Sequence, residues 1–157
     1  MKKLTTRGFT LIELLVVIAI IGILSSIVLA SLSSARDKGT DTAIKATLSS
    51  MRAQAELYSS TWNNYGPVMT EATCPSATGP ATIFASSTTG GLWPLISGLN
   101  DKAGNSATRC SVETGGTAWA VSATLKESGK AACVDSAGTS RVFTGTADAA
   151  IVGSVCQ

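Results

Sequence analysis

One carboxylate interrupts an apolar run at the start of the chain. In GFTLIELLVVIAIIGILSSIVLASLSSA, residues 8–35, Glu13 is the only charged side chain between Arg7 and Arg36. A carboxylate among apolar helices is costly unless a cation meets it, so this residue is either tolerated at a membrane surface or used. The other side chains able to do chemistry are four cysteines, Cys74, Cys110, Cys133 and Cys156. They contain no C-x-x-C pair of the kind that grips zinc or runs thiol exchange. The chain has no histidine. That removes His-based acid–base work, Ser-His and Cys-His nucleophiles, and zinc sites other than all-cysteine ones. No G-x-S-x-G and no P-loop occurs, so no catalytic residue, cofactor or metal is expected. A net charge of +2 with 14% charged residues is too mild for a nucleic-acid partner.

The element that must position Glu13 is a helix. Phe9 to about Leu32 is apolar, and as a helix it would span about 33 to 36 Å, enough for a bilayer core of about 30 Å. Lys2, Lys3 and Arg7 precede it without an acid, which predicts a cytoplasmic N-terminus and export of everything after residue 35. Glu13 stands four residues into the span, within reach of the headgroups, at a helix end that favours negative charge. The alternative is a secretory signal cut after Ser33-Ser34-Ala35, although the apolar run is longer than such signals need. Beyond it Ile44, Leu48, Met51, Ala55 and Tyr58 recur at spacings of four and three, an amphipathic stripe. Asp37, Lys38, Asp41, Lys45, Arg52 and Glu56 are expected mostly off that stripe. No proline separates the two stretches, so one helix is predicted from about Thr10 to Ser60, with Gly39 its weak point.

Trp62 to Pro67 is a cluster of turn formers that should stop the helix. Residues 66 to about 105 read as a long connection with at most short elements, for instance around Ala81 to Phe84. From Thr117 the period becomes two: Trp119, Val121, Ala123 and Leu125 form one buried face of a strand. Ala131 to Asp135 and Ser140 to Thr144 follow as strands across turns, with a further strand near Ala107 to Glu113. The sheet's apolar face should pack on the Ile44, Leu48, Met51 and Tyr58 stripe, with Trp119 in the core. Export favours two disulfides. Four cysteines allow three connectivities; Cys74 with Cys110 and Cys133 with Cys156 is favoured, because each pair closes a neighbouring loop.

The basic leader ending in Gly8, followed by FTLIELLVVIAIIGIL, resembles the N-terminus of the type IV pilin family, which includes the pseudopilins of type II secretion. The resemblance covers roughly residues 2–32. It implies an α+β fold, a long helix packed on a small antiparallel sheet, divided as leader 1–8, transmembrane and assembly helix 9–32, amphipathic continuation 33–62 and exported part 63–157. It implies a prepilin peptidase cut between Gly8 and Phe9, methylation of the Phe9 amine, and an assembly role for Glu13, which would meet that amine on its own or a neighbouring subunit. The expected partners are other pilins in a homo- or hetero-polymer, the peptidase, a pilus assembly platform and, before assembly, membrane lipid. The expected location is a single pass in the cytoplasmic membrane, then a surface filament. Alternatives are a type II secretion pseudopilin, a DNA-uptake pilin using Lys102, Arg109, Lys126, Lys130 and Arg141, or a plain secreted protein. Asp135 and Asp148 do not make the dense carboxylate cluster of a calcium-binding pseudopilin tail.

Overall fold

The computed structural model describes residues 8–74, 82–85, 88–104 and 107–157. The chain forms two units, residues 1–36 and 37–157. Helix α1, Leu11–Trp62, contributes to both. It contains no proline, and its hydroxyl side chains return to the helix: Ser26 Oγ donates to the Gly22 carbonyl at 2.9 Å, and Thr42, Thr47 and Ser50 do the same to Lys38, Ala43 and Ala46. Such i to i−4 bonds satisfy hydroxyls without breaking a helix. Asn63 ends it in the left-handed region (φ 58°), its N–H bonded to the Ser59 carbonyl at 2.7 Å. Asn is one of the few side chains that reach this conformation at low cost.

In the second unit Ile44, Leu48, Met51, Ala55 and Tyr58 are buried in one core with Phe84, Leu92, Ile96, Leu99, Trp119 and Val121. The strands are β1 Met69–Thr73, β2 Thr108–Val112, β3 Trp119–Thr124, β4 Lys130–Asp135 and β5 Ser140–Thr144. They make one antiparallel sheet in the order β1-β2-β3-β4-β5. A β-strand alternates its side chains between faces. Here Cys110, Trp119, Val121, Ala132 and Val134 enter the core shared with α1. Ala120, Ala131 and Cys133 face the other way, onto a smaller core with Ala147, Ala150, Ile151 and Cys156. That outer core is closed by a two-stranded hairpin, β6 Ile151–Val152 and β7 Val155–Cys156, which the strand pattern did not predict because two-residue strands carry no period.

Two expectations are corrected. The stretch from 66 to 105 holds more than short elements: β1 and an 11-residue helix α2, Trp93–Ala103, lie in it. Pro94 stands in the first turn of α2, where a missing N–H costs nothing, and Leu92, Ile96 and Leu99, spaced by four and three, are fully buried. Of the element expected around Ala81 to Phe84, Ala81 lies outside the described residues, and residues 82–85 form bends and turns. The second correction is Asp41, expected off the buried stripe, which is only 6% exposed. Its carboxylate accepts the N–H of Lys126 at 2.6 Å and of Glu127 at 3.0 Å, pinning α1 to the β3–β4 turn. Asp41→Ala should lower the stability of this unit by about 2 kcal/mol, because two backbone donors lose a charged acceptor. Asp41→Asn, keeping one acceptor oxygen, should cost less. Denaturant midpoints of the three proteins check this; an Asp41→Ala midpoint equal to wild type would mean that water replaces the carboxylate without loss.

Candidate functional site at the N-terminal carboxylate

Gly8, Phe9 and Thr10 are non-helical and exposed, and α1 begins at Leu11. A first-turn backbone has N–H groups with no partner inside the helix. Thr10 and Glu13 answer this reciprocally. The Glu13 Oε2 accepts the Thr10 backbone N–H at 2.9 Å and the Thr10 hydroxyl at 2.8 Å, while Thr10 Oγ1 accepts the Glu13 N–H at 3.2 Å. This is a capping box, with Thr10 at the N-cap and Glu13 three positions on. Thr10-Leu11-Ile12-Glu13 carries its T-x-x-E signature, so Thr10 was legible in the sequence and was missed beside the more conspicuous acid.

Behind the cap the helix is bare. Phe9 is 78% exposed, and Leu11, Ile12, Ile20, Ile21, Ile27, Val28, Leu29 and Leu32 each lie more than half exposed. Among the described residues, α1 is the one helix long and apolar enough to cross a membrane. So much apolar surface is not stable in water and calls for lipid or other helices. Chemically the site holds an accessible Gly8–Phe9 peptide bond in non-helical backbone, directly before a carboxylate set at a helix end. Cutting that bond would create an amine four residues from Glu13.

The other sequence-marked residues fall in the second unit. Cys74 is bonded to Cys110 and Cys133 to Cys156. Of the basic residues, Arg109 pairs with Asp148 and reaches the Thr73 hydroxyl, Lys130 pairs with Glu127 at 2.6 Å, and Lys102 Nζ donates to the Gly98 carbonyl. The Asp148 hydrogen bond, foremost, holds the Arg109 guanidinium above its usual pKa, though burial opposes it. Those three cations, committed to local partners, are poor ligands for a phosphate backbone; Lys126 and Arg141 are exposed and, among the described residues, in neither ion pair. Asp135 is fully buried, its two oxygens accepting the N–H of Thr139 at 2.8 Å and of Cys156 at 3.0 Å. Among the described residues no three His, Cys, Asp or Glu side chains gather to hold a metal.

An α+β protein whose long helix leaves its apolar start uncovered, behind a carboxylate cap, has the build of an anchored assembly subunit. Residues 4–29 match the family model described as the prokaryotic N-terminal methylation motif. A 59-residue stretch is 44% identical to the type IV wide pilus major component PilA4 of Thermus thermophilus, covering 38% of this chain and 45% of that relative. The chain thus spans less than half the length of the curated relative it matches. No solved structure matches it. With the long helix packed on a small antiparallel sheet, the motif and this relative support a member of the type IV pilin family.

Proposed function

We propose that the chain is a structural subunit of a type IV pilus-like filament. A prepilin peptidase cuts between Gly8 and Phe9, the Phe9 amine is methylated, and the subunit waits as a single-pass membrane protein with its N-terminus on the cytoplasmic side. It then polymerises with other pilins through α1, on an assembly platform. The observation that carries this reading is the apolar first half of α1, exposed along its length and bearing Glu13 as its one charge. Lipid covers such a surface before assembly and neighbouring helices cover it afterwards. Once helices replace the headgroups, Glu13 needs a cation, and the amine released at Phe9 supplies one. Methylation leaves that amine charged. A neighbour's amine would also set register, since other axial offsets leave two buried charges unpaired.

The N-terminus of the mature protein tests the reading. Mass spectrometry of protein recovered from sheared surface material should find a chain beginning at Phe9 and heavier by one methyl group. A chain beginning at Arg36 would mark a secreted protein cut after Ala35 and end the pilin reading.

A further inference from the structure

Among the described residues the five-stranded sheet ends on β1 and β5, neither of which pairs with a further strand. An edge strand presents unpaired backbone groups that invite another chain. β1 is bulged between Met69 and Ala72, whereas β5 pairs with β4 in unbroken register. The charges at the two edges are opposite and lie on the same face of the sheet. Arg141 stands opposite Cys133, whose side chain belongs to the outer core, and partners across an antiparallel pair point the same way. Arg141 is exposed, and among the described residues it is in neither ion pair. On β1, Thr73 stands opposite Arg109 and accepts a hydrogen bond from its guanidinium, which pairs with Asp148 on the outer face. Glu71 lies in the bulge, where alternation does not fix its side, but it interacts with the charges of both Asp148 and Arg109, which puts it on that face. Burial, and then the nearby Asp148 carboxylate, raise the Glu71 carboxyl above its usual range, with Arg109 only partly opposing them. Among the described residues, Glu71 at one edge and Arg141 at the other are each in neither ion pair.

We propose that the β5 edge of one subunit docks against the β1 edge of a second copy of this chain, Arg141 of the first meeting Glu71 of the next. The occupant is a second copy because the complement of each edge is the chain's own other edge. Such a contact is head-to-tail and leaves one edge free at each step, so it propagates instead of closing into a dimer. The bulge in β1 limits how far a backbone ladder can run across it, so the charge pair sets which edges meet while α1 carries the polymer. This inference rests on the filament reading and adds a lateral contact to it.

Cysteine cross-linking in the cell that makes the protein tests it. A chain carrying both Glu71→Cys and Arg141→Cys should form a ladder of disulfide-linked multimers after mild oxidation, while each single variant should give none beyond a dimer. A double variant that stays monomeric overturns the docking. Charge reversal gives a second readout. Arg141→Glu or Glu71→Lys alone should cut the yield of sheared filaments by about five-fold or more, and the two together should restore it. A folding defect would not be rescued by the second reversal. Wild-type yield from both single reversals, beside filament loss in Glu13→Ala, overturns the edge contact and leaves the pilin reading standing. Filaments from Glu13→Ala would remove the assembly role of that carboxylate instead.

Discussion

Glu13→Ala should leave the protein inserted in the membrane and reduce recovered filaments about ten-fold or more, the loss expected when one partner of a buried ion pair is removed. Insertion depends on the apolar run from Phe9 to Leu32, whose one charge the substitution removes. Among the described residues the carboxylate hydrogen-bonds only to Thr10, so the local loss is that of one exposed helix cap. The large effect is expected in the polymer, where the Phe9 amine would stay charged among apolar helices with nothing to neutralise it. Glu13→Gln separates the two roles. Glutamine can serve at the same position of a capping box, so the Thr10 interactions survive while the charge is lost. Filaments absent from both variants would assign assembly to the charge. Filaments normal in Glu13→Gln and absent in Glu13→Ala would assign it to the cap and remove the ion-pair account.

That contrast was half legible in the sequence. Glu13 stood out because a single charge in an apolar run has few explanations, whereas the cap was hidden in the same four residues as a local motif. α1 was readable for a related reason: the stripe from Ile44 to Tyr58 keeps helical spacing over four turns. β3 keeps period two, and β4 and β5 are marked off by the glycine-containing turns before them. α2 was not, since its fully buried stripe is only Ile96 and Leu99 with Leu92 at the N-cap, broken by Gly98 and preceded by Ser, Thr and Gly. Asp41 fails differently. Its position, three residues before Ile44, continues the buried stripe, but its acidity argued for solvent. What overrides that is a pair of backbone N–H groups 85 and 86 residues away, and no local pattern announces a turn that distant. The open edges of the sheet, and the fact that Glu71 and Arg141 share a face, follow from strand order and register, which one sequence does not disclose.

Removing the Cys133–Cys156 disulfide by Cys133→Ser with Cys156→Ser should lower the stability of the second unit by about 3 to 4 kcal/mol in the chain-entropy model, given a separation of 23 residues. Domains of this size have only about 5 to 15 kcal/mol in hand, so the melting temperature should fall by roughly 10 to 15 °C. The outer core explains why little else compensates. Ala120, Ala131, Ala147 and Ala150 make up most of it, and alanines bury little apolar area, so the C-terminal segment relies on polar ties. Ser122 donates to the Ala147 carbonyl at 2.6 Å, Ser111 meets Ser154 at 3.0 Å, Arg109 pairs with Asp148, and Asp135 accepts the Cys156 N–H. Each is a modest contributor once water competes. With the disulfide gone, β6 and β7 should open before the five-stranded sheet does. Amide exchange at Ile151 and Cys156 should therefore quicken far more than at Val121 and Val134, which face the larger core on α1. Equal quickening at all four positions would show that the disulfide supports the whole unit instead. Unchanged melting and exchange would mean that the polar ties hold the segment without it.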